Sequence, residues 1–221
     1  AFQIMKGVGV PDDLQEYVFQ KYTLQCLEYN LKEYRELWQD HKEIVLSYTN
    51  LRKIPKQITL LQNLEVLRIN NNCITYLPNE IGELKKLREL NVGGNNLTKL
   101  PEEINNLERL EELHLSWNLI TEFPPSLIKL QKLKYLFMDQ MALKDIPPII
   151  SDLTNLISLS VSRNLLTFVP PIISKLQNLE ELNLSRNQIE YVSKEIKNLK
   201  KLKSIFISRN PVSIQPNTHL I

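Results

Sequence analysis

The sequence predicts an α/β right-handed solenoid. Its expected shape is a horseshoe with a concave parallel β-sheet, short helical or 3₁₀ returns on the convex side, and an α-helical N-terminal cap. Three observations predict it. Six prolines (Pro55, Pro78, Pro101, Pro124, Pro147 and Pro170) are spaced 23 residues apart. Leucine makes up 39 of the 221 residues, and most leucines recur at the same few positions of that period. Residues 12–40 fall outside the period and carry a helical stripe of their own. A fixed period of this size marks an array of stacked units and takes precedence over local secondary structure.

Composition narrows the class. Apolar residues at 43% and charged residues at 24% are those of a folded globular chain and exclude a disordered one. A net charge of +2 gives no bulk attraction to nucleic acid or a membrane surface. No apolar run approaches the ~20 residues of a spanning helix. Cys26 and Cys73 are too few and too distant for a disulfide framework or a zinc site.

The array has eight units, beginning at His41, Leu64, Leu87, Leu110, Leu133, Leu156, Leu179 and Leu202, with no insertion or deletion. The chain therefore divides into a helical capping segment, 1–40, and the array, 41–221. Within each unit, positions 4 and 6 are apolar between polar neighbours, which reads as a short strand with one face buried. Successive strands stack in parallel about 4.8 Å apart. Position 9 is Asn in six units: Asn72, Asn95, Asn118, Asn164, Asn187 and Asn210. Its amide both donates and accepts, so it satisfies backbone groups where the chain leaves the strand. Proline at position 15 fixes φ and redirects the chain onto the convex side. Apolar residues at positions 18 and 21 pin the return to the core. No unit buries its apolar face alone; its neighbours supply the partner surface.

The pattern LxxLxLxxNxL followed by xxLPxxIxxLxx resembles the leucine-rich repeat in its 23-residue form. It is similar to Ras-suppressor-like and plant Ras-group repeats and to bacterial virulence-associated repeat proteins. The resemblance covers 41–221 and implies a non-catalytic protein-interaction module or scaffold.

The ends need covering. After Pro11-Asp12-Asp13, Leu24, Leu27, Leu31, Tyr34 and Trp38 form an amphipathic stripe spaced 3, 4, 3, 4. It reads as a cap over the first unit or, alternatively, as a dimerising or partner helix; two heptads are short for a coiled coil.

No catalytic motif is present. Gly93-Gly94 lacks a phosphate-loop context. His41, His114 and His219 lie far apart, and Cys73 has no neighbouring His in the stack. Glu111-Glu112 and Glu180-Glu181 are adjacent pairs whose side chains alternate, which suits a solvated face better than a carboxylate cleft. Asn96-Leu97-Thr98 and Asn183-Leu184-Ser185 match the glycosylation sequon, the second on a strand. No enzyme activity, cofactor or metal is expected.

The concave face holds the candidate site. Position 7 is small or polar throughout and leaves floor space for a partner's side chains. The expected partner-binding residues are Arg68, His114, Trp117, Tyr135, Phe137, Arg163, Arg186 and Arg209. His114, Trp117, Tyr135 and Phe137 fall on neighbouring strands as an exposed aromatic cluster, a composition enriched at binding hot spots. Arg163, Arg186 and Arg209 recur at position 8 as a row suited to an acidic peptide or phosphate. Two competing readings stand beside these: Trp117 as part of the core, and the arginines paired with Glu180, Glu181 and nearby carboxylates. In the unit beginning at 133, Met141 replaces the ladder Asn and predicts a local defect or a substituting water.

The expected partner is a protein or peptide on the concave sheet, with no nucleic acid, no membrane span, and a monomer in isolation. The expected location is the cytoplasm, with a secreted bacterial protein as the alternative because Ala1 is not an initiator Met. Two further alternatives are the substrate-recognition domain of a larger enzyme, such as a ligase or phosphatase complex, and a bacterial surface protein acting on host molecules.

Overall fold

The computed structural model describes residues 41–212. The expected helical cap, together with Cys26 and Trp38, lies outside the described residues.

Eight three-residue strands form one parallel sheet. They are β1 (Glu43–Val45), β2 (Val66–Arg68), β3 (Glu89–Asn91), β4 (Glu112–His114), β5 (Tyr135–Phe137), β6 (Ser158–Ser160), β8 (Glu181–Asn183) and β10 (Ser204–Phe206). Two further strands, β7 (Phe168–Val169) and β9 (Tyr191–Val192), pair in a separate parallel ladder. The register steps by 23 residues at every main-sheet pairing, for example Leu113↔Leu136 and His114↔Phe137. Equivalent positions therefore sit side by side along the whole array.

The convex returns are 3₁₀ turns, seven among the described residues and each five residues long, such as Asn79–Glu83 and Pro171–Lys175. Proline explains why. Position 15 is extended, and its carbonyl accepts from the position 18 amide, as in Ile104 N–H to Pro101 O at 3.1 Å. Position 21 then donates to position 18, and position 1 of the next unit donates to position 21, as in Leu107 to Ile104 and Leu110 to Leu107. A chain of i→i+3 bonds with an apolar residue at every third place turns one apolar edge to the core. Ser193, in the slot that proline fills elsewhere, keeps the geometry: Ile196 N–H donates to Ser193 O at 3.2 Å.

Between sheet and returns lies a continuous aliphatic core, including Leu67, Leu90, Leu113, Leu136, Leu159 and Leu182 at position 4, all fully buried. The Asn ladder runs beside it. Asn118 Nδ2 donates to the carbonyls of Val92 and Leu115, both at 2.9 Å, and its Oδ1 accepts from Leu97 N–H at 2.9 Å. The other five ladder asparagines repeat this pattern, so each stitches two units together.

Candidate protein-interaction face

Side chains at positions 3, 5 and 7 leave the sheet on the face opposite the core. The aromatic cluster forms where β4 meets β5. The His114 imidazole stacks on the Phe137 ring with centroids 4.3 Å apart and planes inclined by 12°. His114 Nε2 also lies 2.6 Å from Glu112 Oε1. Tyr135 is opposite Glu112 in the register and is exposed. Trp117 is 53% exposed, so it is a surface residue and not part of the core. His114 and Phe137 are thus in ring contact, while Tyr135 lies on β5 and Trp117 in the turn after β4.

Ser158 and Ser160 of β6 are buried, flanked by Tyr135 and Phe137 on one side and by Glu181 and Asn183 on the other. The larger flanking side chains cover these serines, so the face is closed at this strand. The position 7 floor is self-satisfied: Asp139 accepts from Ser160 Oγ at 2.5 Å and from Ser162 N–H at 2.7 Å, and Ser116 Oγ accepts from Asp139 N–H at 2.9 Å.

Arg68 behaves differently from the other arginines. Its Nε and Nη2 both lie 2.6 Å from the two oxygens of Glu89, and its Nη1 lies 2.5 Å from Glu43 Oε1. The Glu89 carboxylate first, with Glu43 and Glu112 behind it, holds the guanidinium above its ordinary pKa. Ligand atoms of Glu89, Glu112 and His114 also come within 4.8 Å of one another. Both Glu89 oxygens are already taken by Arg68, so this group is an ion-pair network.

Arg163, Arg186 and Arg209 are exposed and stacked one per unit. The competing expectation, pairing with Glu180 or Glu181, is not realised. Glu180 binds Lys203 at 2.5 Å, and no ion pair or side-chain hydrogen bond joins the three arginines to any described residue. Arg209 first, then Arg163, depresses the Arg186 pKa by like-charge repulsion.

Two features of the face are absent from the sequence-based expectation. Every position 8 residue is left-handed: Tyr48, Asn71, Gly94, Trp117, Gln140, Arg163, Arg186 and Arg209 have φ between 51° and 63°. A signal existed, since Asn71 and Gly94 are the residue types that tolerate this region. The bulky residues in the other units hid it. Position 2, on the opposite rim, alternates in sign along the stack from Lys42 to Lys134 and again from Glu180 to Lys203, with Ile157 between. Lys42 pairs with Glu65 at 3.0 Å, Glu111 with Arg88 at 3.0 Å and Lys134 at 2.7 Å, and Glu180 with Lys203. The pairs Glu111-Glu112 and Glu180-Glu181 are thereby accounted for at their first members.

Among the described residues no helix is long and apolar enough to cross a membrane. The family model described as a leucine-rich repeat region matches residues 23–119 and 113–220. No match is found among curated proteins. Among solved structures, a leucine-rich repeat protein of Leptospira interrogans is similar at 33% identity and TM-score 0.67, over 84% of this chain and 53% of that one. The Arabidopsis receptor kinase HAESA, solved with the peptide hormone IDA and the co-receptor SERK1, is similar at 32% identity and TM-score 0.65, over 76% of this chain and 30% of that one. An internalin of Listeria monocytogenes shares the fold, at 24% identity and TM-score 0.64 over 87% of this chain and 63% of that one. The chain spans about half the length of the Leptospira protein and under a third of the receptor. With 23-residue units in one register, an asparagine ladder, proline-started 3₁₀ returns and a family match over most of its length, the chain belongs to the leucine-rich repeat family.

Proposed function

We propose that this chain is a non-catalytic interaction module that holds a protein or peptide against its sheet face. The observation that carries the reading is the cluster of His114, Trp117, Tyr135 and Phe137 on β4, β5 and the adjoining turn. Large rings left in water gain most when a partner covers them, and such residues dominate binding energy at interfaces. HAESA, a relative in fold and at 32% identity, was solved with a peptide hormone bound, which supports a peptide or protein as the class of ligand. We place the module in the cytosol as a monomer; the exposed free thiol of Cys73 stays reduced there.

The test is the Trp117→Ala/Phe137→Ala variant in pull-down from a matched lysate, followed by titration of the recovered partner. Binding falls at least tenfold, while the melting temperature drops by no more than about 4 °C. Unchanged binding overturns the reading. So does a variant that loses its fold and its binding together, because the rings are then structural.

A further inference from the structure

The two rims of the sheet treat charge in opposite ways. On the position 2 rim, charged neighbours are of opposite sign, and four of their contacts are ion pairs at 2.5–3.0 Å. On the position 8 rim, Arg163, Arg186 and Arg209 repeat the same sign at the same stacking distance with no carboxylate between them. They are unfavourable twice over. Each holds a non-glycine residue at positive φ, where Asn71 and Gly94 show the residue types that fit with less strain. Each also repels its neighbour. Backbone bonds between units hold the φ, but no carboxylate among the described residues offsets the repulsion.

The geometry points to a partner whose charges do. We propose that Arg163, Arg186 and Arg209 form a docking ladder for an α-helix of a partner protein that carries acidic residues at i, i+3 and i+7. The proposal rests on the reading of the sheet face as a protein-binding face and names the partner's chemistry.

The spacing selects a helix. Backbone bonds lock the ladder: Arg163 N–H donates to Ser185 O at 2.9 Å, and Arg186 N–H donates to Ser208 O at 2.8 Å. The three arginines therefore follow the strand spacing, at about 0, 4.8 and 9.6 Å along the stack. Acidic residues at i, i+3 and i+7 of a helix lie on one face at about 0, 4.5 and 10.5 Å. An extended peptide presents same-face residues about 6.8 Å apart, so its third acid overshoots the ladder by about 4 Å. The same register extends to the aromatic cluster. Trp117 precedes Arg163 by two units on the same rim, about 9.6 Å, which is about seven helical residues. An apolar residue at i−7 of the partner helix lies on the same face as the acids at i and i+7 and packs on the Trp117 indole. Arginine suits carboxylates because its planar fork binds them through two parallel hydrogen bonds.

The probe is a synthetic alanine-based helical peptide with Leu at i−7 and Glu at i, i+3 and i+7. An isomer of identical composition with its glutamates dispersed around the helix, and an extended proline-containing peptide with Glu at alternate residues, are the controls. Binding is followed by the arginine Nε–Hε resonances of the intact protein. The helical peptide shifts all three arginine signals together and binds at least fivefold more tightly than either control. Its affinity falls several-fold between 50 and 500 mM salt. The triple variant Arg163→Asn/Arg186→Asn/Arg209→Asn loses at least tenfold; asparagine already occupies the same place at Asn71 and keeps the fold. Equal binding of the extended or dispersed peptide overturns the helical assignment. Shifts produced by anionic vesicles or inorganic phosphate, with none from the helical peptide, overturn it in favour of another anion. If the recovered partner needs Trp117 and Phe137 but binds the triple Asn variant at full strength, the ladder is wrong and the sheet-face reading survives. If it needs neither set, both fall.

Discussion

The backbone N–H of fully buried Ile120 has no acceptor among the described residues, because Met141 stands where six units place the ladder asparagine. In those units the asparagine Oδ1 accepts from the amide 21 residues earlier, as Asn118 does from Leu97 and Asn187 from Leu166. Met141 offers no oxygen. Its own amide turns forward instead and donates to Asn164 Oδ1 at 2.9 Å, beside the usual donor Leu143 at 3.1 Å.

Met141→Asn is therefore expected to stabilise the protein. The new amide gains three hydrogen bonds, one from Ile120 N–H and two to the Leu115 and Met138 carbonyls, at about 1 kcal/mol each. Against this stands about 2 kcal/mol of lost methionine burial. The net gain of about 1 kcal/mol raises the melting temperature by about 2–4 °C. Amide exchange at Ile120 slows in the variant. An unchanged exchange rate there, or a lower melting temperature, refutes the account.

Gly82→Ala is expected to destabilise. A Cβ at this place would lie 2.3 Å from the Glu103 carbonyl oxygen and 2.9 Å from Glu103 Cβ, both fixed parts of the next 3₁₀ turn. Other units carry Thr59, Asn105, Ile128 or Lys197 at the same position, so the closeness is local to this pair of returns. Forcing them apart costs about 1–3 kcal/mol, read as a shifted urea midpoint. Gly94→Ala is the comparison. Its φ of 63° is shared by non-glycine residues at every other position 8, and its Cβ meets chiefly the side-chain amide of Asn71, with the Asn71 backbone nitrogen farther off at 3.2 Å. A larger loss for Gly94→Ala than for Gly82→Ala refutes this ranking.

Periodicity made the fold legible because every structural position recurs at one spacing. The strands, the ladder and the start of each return all follow from residue type at positions 4, 6, 9 and 15. The defect at Met141 was legible for the same reason: the amide chemistry of asparagine is specific, and its loss shows. The face was legible only in part. Sequence placed His114 and Phe137 on neighbouring strands, but their stacking depends on a register that only the sheet provides. Sequence treated Arg68 like Arg163, Arg186 and Arg209. It could not show that Glu43 and Glu89, 25 and 21 residues away, close on Arg68 while nothing closes on the other three. The left-handed turn at position 8 was masked because stacking hydrogen bonds impose it on Trp and Arg against their own preference.

Acid weakens the position 2 rim. Hydrogen bonds from Lys134 and Arg88 hold the Glu111 pKa below the ordinary glutamate value. A depressed folded-state pKa adds stability that is complete above the unfolded value, about 4.3, and disappears as pH falls through the folded one. Glu111→Gln removes that contribution. Wild type and variant therefore differ in urea midpoint at pH 6 and converge as pH drops below about 4. A difference that persists undiminished at low pH shows that the side chain acts through packing and not through charge.

Arg68 and Arg186 separate stability from binding. Arg68 is bound on two sides, and its removal leaves Glu43 on β1, Glu89 on β3 and Glu112 on β4 as like charges without the cation on β2 between them. Arg68→Ala is expected to cost about 1 kcal/mol, as for a partly exposed ion pair of good geometry, and to leave partner affinity within about twofold. Arg186→Asn acts in the reverse sense. It removes the middle charge of a same-sign row and places a better-tolerated residue at a φ of 57°. The melting temperature rises, and the stabilisation of wild type by added salt, which screens the repulsion, diminishes in the variant. Affinity for the acidic helical peptide falls in Arg186→Asn and holds in Arg68→Ala. Melting curves at 20 and 500 mM salt, paired with peptide titrations of both variants, check the two halves together. If Arg186→Asn lowers stability, the row is a structural element and its three charges serve the fold.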